Sequence, residues 1–185
     1  MPHILAALLA LLQLLSPITA PDSIPGRLHS GEWLRLHVIP QDDTEEMQQL
    51  KYIVRDAVQS CYQKSHLPQA GSMQQEAERL LPRLRQAALQ AAREAGFSGE
   101  VTVILDDLLF DQRELHGTSI PAGRYPALIV RLGDAQGHNW WGLLDPELSL
   151  RLAGAEQPED GEPLWDWSWQ ALLAALFGTP LSQGG

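Results

Sequence analysis

Residues 120–141, IPAGRYPALIVRLGDAQGHNWW, impose a turn, a long apolar strand, a glycine-punctuated turn and a second strand on any fold this chain adopts. Pro121, Gly123 and Pro126 bracket the first turn. Residues 125–132 alternate and are rich in β-branched and large apolar side chains, the pattern of a half-buried strand. Residues 133–137 then turn the chain toward Asn139, Trp140 and Trp141. Neighbouring residues on a strand point to opposite faces, so one Trp is expected in the core and the other against a second layer or a partner.

Upstream, residues 33–39 read as a strand with Leu34, Leu36 and Val38 on one face and Arg35 and His37 on the other. Asp42, Asp43 and Thr44 offer helix caps, and Glu45 and Glu46 stand where a first turn favours negative charge. Met47, Leu50, Val54, Ala57, Val58 and Cys61 follow at helical spacing, and this helix is expected to end near residues 66–68. A second helix is expected over 72–95, with Ala77, Leu80, Leu84, Ala88 and Ala91 on one face. Pro82 removes a backbone donor from its interior, which predicts a kink or break near Leu81. Strands are expected at 100–105, 109–115, 125–132 and 139–144. Two consecutive helices followed by strands on short turns predict an α+β fold. Its mainly antiparallel sheet carries the two helices on one face, with a short C-terminal helix beyond.

The 185 residues fit one domain, placed at 32–152, and a 44% hydrophobic content is enough for a core without staples. Residues 4–15 are a charge-free run of mostly Leu and Ala, followed by Pro17, Thr19 and Ala20. That is the length of a secretory apolar region and short of the about 20 residues that span a bilayer. Residues 1–20 are therefore expected to be a signal peptide or an uncleaved anchor, and 21–31, with Pro21, Pro25, Gly26 and Gly31, a linker. Residues 153–163 read as an acidic linker and 164–185 as an amphipathic helix and tail, with Trp165, Trp169, Leu172, Leu173 and Leu176 on one face. The lone Cys61 excludes an intrachain disulfide. Thirteen Lys and Arg against 23 Asp and Glu leave a net charge of -10. A surface of that sign repels phosphate backbones and anionic head groups, so neither nucleic-acid binding nor strong membrane binding is expected.

Residues 33–58, WLRLHVIPQDDTEEMQQLKYIVRDAV, together with 120–141 resemble the stage II sporulation protein R family. The resemblance runs over about 33–144. It rests on Leu34, Arg35, His37 and Val38, then Leu50, Lys51, Val54, Arg55, Asp56 and Val58. In the later segment it rests on Pro121, Ala122, Gly123, Tyr125, Ala127, Leu128, Val130, Gly133, Gly137, Asn139, Trp140 and Trp141. Family members continue from the Trp pair into W-W-C-V-L-F-P-P-L-C, whereas Gly142, Leu143, Leu144, Asp145, Pro146, Glu147 and Leu148 follow here, so both family cysteines are missing. The resemblance implies a non-enzymatic protein secreted from the forespore into the space between the two cells. There it activates a membrane-bound sporulation aspartic protease that processes the mother-cell sigma-E precursor. The expected partner is the extracytoplasmic part of that protease, and no cofactor is implied.

No phosphate-binding loop, paired metal-ligand motif or nucleophile elbow is present in the sequence. Lys51 and Arg55 lie four apart on one helix face. They suit either an acidic group on a partner or an ion pair with Asp42, Asp43 or a sheet carboxylate. The candidate partner-binding set is Arg35, His37, Lys51, Arg55, Asp56, Tyr125, Asn139, Trp140 and Trp141, with the outward Trp foremost, because exposed Trp is enriched at interface hot spots. The competing readings are an extracytoplasmic metal-dependent hydrolase using His37 or His138, with His116 also considered, beside Asp106, Asp107 or Asp111, and an envelope structural protein.

Overall fold

In the computed structural model, residues 21–65, 71–115 and 117–152 are described. The export segment 1–20, the acidic linker 153–163 and the C-terminal helix of 164–185 expected from the sequence lie outside them. The chain opens with α1 (Ile24–His29), then β1 (Arg35–Ile39), α2 (Glu45–Ser65), α3 (Met73–Glu94), β2 (Val101–Phe110), β3 (Arg113–Leu115), β4 (Thr118–Ile120), β5 (Gly123–Leu132), β6 (Trp140–Leu143) and α4 (Pro146–Leu152). The result is an α+β fold.

The main sheet has the order β2-β5-β1-β6, and β3 and β4 form a separate two-stranded sheet. β1 runs parallel to β5 and antiparallel to β6, while β2 and β5 pair antiparallel along their full length. Alternation through β1 and the residue before it sends Leu34, Leu36 and Val38 to one face, where they meet Val54 and Val58 of α2, Leu80 and Leu84 of α3, and Leu128 and Val130 of β5. This is the larger core, and the two consecutive helices cover it as expected.

Four details differ from the sequence reading. The stretch taken as a linker contains α1, capped by Ser23 and anchored by Leu28, which is buried. α3 runs through Pro82 without a break: its Ser72–Gln75 capping box secures the start, and the Pro ring sits on the exposed side. Asp106 and Asp107, which fall between the strands expected at 100–105 and 109–115, lie within β2, exposed on an edge strand opposite Ala127 and Pro126. The span read as one strand over 109–115 is instead the end of β2 and the start of the β3–β4 hairpin.

Side chains cover outward-facing carbonyls on both edges of the sheet. Arg85 of α3 donates to the Val103 carbonyl at 3.0 Å and Arg124 to the Asp107 carbonyl at 2.8 Å on β2. On β6, the Gln59 amide of α2 donates to the Leu143 carbonyl at 2.9 Å.

Candidate functional site

The motif residues fall into two clusters, one on each face of the sheet. On the helix side, Lys51, Arg55 and Gln59 recur every four residues along α2, which places them in one row. All three are buried, and all three meet the β6 region. Lys51 Nζ donates to the His138 carbonyl at 3.1 Å and also to the Gln48 side chain, the Arg55 guanidinium lies 5.0 Å from the Trp140 ring centroid, and Gln59 holds Leu143. The row therefore clamps the second half of the Trp motif to the helix. Tyr52 lies against both cations, 5.0 Å from Lys51 Nζ and 4.9 Å from the Arg55 guanidinium. Arg55 pairs with the adjacent Asp56 at 2.6 Å, not with Asp42, Asp43 or a sheet carboxylate. Asp56 is itself about half exposed, and its partial desolvation raises the carboxyl above its usual range, against the opposing pull of Arg55.

Asp43 instead fixes the turn before β6. It accepts from the His138 backbone N–H and contacts the ring Nδ1, both at 2.6 Å. The Asp43 carboxyl is held below its usual range, first by that backbone donor.

The opposite face contains Arg35 and His37, each 1% exposed. Their cover is a second core of Leu28, Phe110, Ile120, Tyr125, Leu143 and Leu148, contributed by α1, the ends of β2 and β4, and α4 with the sheet itself. Phe110 is its hub, with edge-to-face contacts to Trp141 at 4.9 Å, His37 at 6.2 Å and Tyr125 at 6.4 Å. The Arg35 guanidinium lies 4.4 Å from the Phe110 centroid and 5.0 Å from that of Tyr125, and donates to the Tyr125 carbonyl at 2.9 Å. Burial lowers its pKa to about 10, so it remains charged at neutral pH. His37 Nδ1 lies 2.6 Å from the Asn139 amide nitrogen, while Arg35 Nε, Arg35 Nη1 and His37 Nε2 are buried without hydrogen-bond partners.

Burial first, and the neighbouring Arg35 second, push His37 down to about 3. The folded state thus holds the ring neutral where an unfolded chain would protonate it near pH 6.5. Its contribution to stability is complete above that value and is lost as pH falls from about 6.5 toward 3. Urea midpoints measured across this range should fall for the native chain. The slope should be shallower in His37→Gln, which has no titrating ring; parallel profiles would contradict the assignment.

The nine sequence-chosen residues thus divide. Arg35, His37 and Tyr125 are interior; Lys51 and Arg55 are buried beneath Tyr52 and Trp140; Asp56 and Asn139 are exposed; Trp140 and Trp141 are half-buried. The two Trp do point to opposite faces, but each packs on a different core, so neither is simply the inside or the outside residue. Phe110 and Gln59 were missed. Phe110 ends a strand with no visible partner in the sequence, whereas Gln59 follows Lys51 and Arg55 at the same four-residue interval and was detectable on that ground. His37 and His138 make separate contacts, His116 lies outside the described residues, and no group of three or more His, Cys, Asp or Glu among the described residues is placed to hold a metal ion.

A family model described as stage II sporulation protein R matches residues 30–153. The chain is 30% identical over 137 residues to stage II sporulation protein R of Bacillus subtilis (strain 168), covering 71% of this chain and 56% of that protein. It thus spans little more than half the length of that relative. No solved structure matches the chain.

Proposed function

This chain belongs to the stage II sporulation protein R family, and from that premise we propose that it is a secreted, non-enzymatic signalling protein that activates a membrane-bound aspartic protease during endospore formation. A function in sporulation follows from the family. The finer reading is that the chain leaves the forespore, docks on the extracytoplasmic part of the protease and thereby promotes cleavage of the mother-cell sigma-E precursor.

The observation that carries this reading is the family match, which extends over nearly all of the described residues beyond α1. The geometry supports a docking role for the end of the molecule where α2 meets β6. Asp56, His138 and Asn139 are exposed there, Tyr52 and Trp140 are half-buried, and the Lys51, Arg55 and Gln59 row holds the backbone beneath them. Rigid aromatic and polar groups on a fixed base suit recognition because little conformational entropy is lost on contact. Binding activates only if this surface prefers the active form of the protease over the resting one.

Deleting the gene in its host is expected to leave the sigma-E precursor uncleaved, and adding the full chain to membranes that contain the protease is expected to restore cleavage. Normal cleavage in the deletion strain, or no restoration by the added chain, would sink the proposal. Among the described residues no helix is long and apolar enough to cross a membrane.

A further inference from the structure

Arg35 and His37 lie two residues apart on one face of β1, and between them leave three buried nitrogens without partners. All three are donors. Arginine has no acceptor, and the Asn139 amide nitrogen donates to His37 Nδ1, which leaves the proton of the neutral ring on Nε2. Among the described residues no carboxylate is within ion-pair distance of Arg35. A buried cation flanked by aromatic faces and orphaned N–H groups is complementary to an acceptor-only anion.

A second guanidinium marks the way in. Arg113, exposed on β3, lies 5.6 Å from the Phe110 centroid and also has no carboxylate partner among the described residues. Phe110 thus contacts one surface cation and one interior cation in a protein of net charge -10. The cover between them is also lightly secured. β3 and β4 are three-residue strands that pair only with each other, and they rest on the second core through Leu115 and Ile120. Such a hairpin has little stability of its own and opens more readily than the main sheet.

We propose that Arg35, with Arg113 at its approach, is a receptor for a single carboxylate group that enters beneath the β3–β4 hairpin. A planar monoanion suits this aromatic-walled site because guanidinium–carboxylate pairing is planar and a doubly charged phosphate costs more to desolvate. The ligand satisfies donors that the free protein leaves orphaned. The assignment is independent of any role in protease activation.

The test follows the Arg35 Nε–H resonance in the isotope-labelled full chain during separate titrations with propionate, an acetylated and amidated Gly-Glu-Gly peptide, and sodium chloride at matched ionic strength. A saturable shift with the peptide alone assigns the site to an acidic side chain on a polypeptide. A shift with propionate as well assigns it to carboxylates generally, and either result supports the proposal. Arg35→Lys is expected to weaken binding about tenfold, because an ammonium lacks the planar fork. The exposed Arg113→Gln change is expected to weaken it about threefold and to reduce its salt dependence, even if the interior variant fails to fold. No shift with either carboxylate, or an equal shift with chloride, overturns the proposal.

Discussion

Replacing Phe110 with alanine is expected to destabilise the protein by about 3–5 kcal/mol, the range for emptying a buried aromatic site. Phe110 is 7% exposed and touches Trp141, His37, Tyr125 and Arg35 at once, so no single neighbour can move into the space without abandoning another contact. The loss also removes one of the two aromatic faces beside a buried cation, an interaction of about 2 kcal/mol when desolvated. Part of that sum is already counted in the cavity range, so the two are not additive. Against a total stability of about 5–15 kcal/mol, urea unfolding should show a large fall in midpoint. Phe110→Leu, which retains much of the volume but not the ring, should recover part of it. A loss below about 1 kcal/mol in the alanine variant would show that the second core is not organised around this residue.

The next largest effect is expected at Gly137. Its N–H donates to the Pro40 carbonyl at 3.0 Å, and the neighbouring Gln136 N–H donates to the Gln41 carbonyl at 3.0 Å, so the turn before β6 is bonded to the loop after β1. A Cβ at Gly137 would overlap the Asp42 carbonyl oxygen and stand 2.6 Å from the Asp42 carbonyl carbon and 2.8 Å from Pro40 Cγ. Backbone and a proline ring cannot swing aside as a long side chain can, so the two loops must separate. Gly137→Ala is expected to cost about 1–3 kcal/mol by overpacking, and to loosen the Asp43–His138 and Lys51–His138 contacts with it. Gly96→Ala is the control: that residue has φ +87° and nothing near its would-be Cβ, so it should cost only about 1 kcal/mol of backbone strain. Denaturant midpoints for the two variants compare the mechanisms directly, and equal losses would argue against the loop clash.

The reach of the sequence depended on whether a residue's neighbours were local. The stripe of Leu50, Val54 and Val58, the alternation of Leu34, Leu36 and Val38, and the opposed Trp pair all follow from period alone, and the structure has each of them. Strand order did not follow, because β1 pairs with β5 across almost the whole domain and no local pattern specifies that partner. Arg35 and His37 mark the polar side of β1, and nothing local in the sequence indicates what covers it. It is buried because Phe110, Ile120 and Leu28 converge from three distant segments. The same reason separates the candidate set: Arg35 and Lys51 look alike as motif cations, yet Arg35 is enclosed by Phe110 and Tyr125 of the second core, whereas Lys51 lies on the helix side and reaches the turn before β6.

The arginine and glutamine side chains on the outer carbonyls of β2 and β6 have a consequence for how this molecule meets others. An incoming strand would have to displace Arg85, Arg124 or Gln59 before it could join the ladder, so copies of the chain are poorly suited to stacking edge to edge into fibres, even at high local concentration. Association by borrowed backbone pairing is discouraged at both margins, which leaves the shape and chemistry of side chains to select a companion.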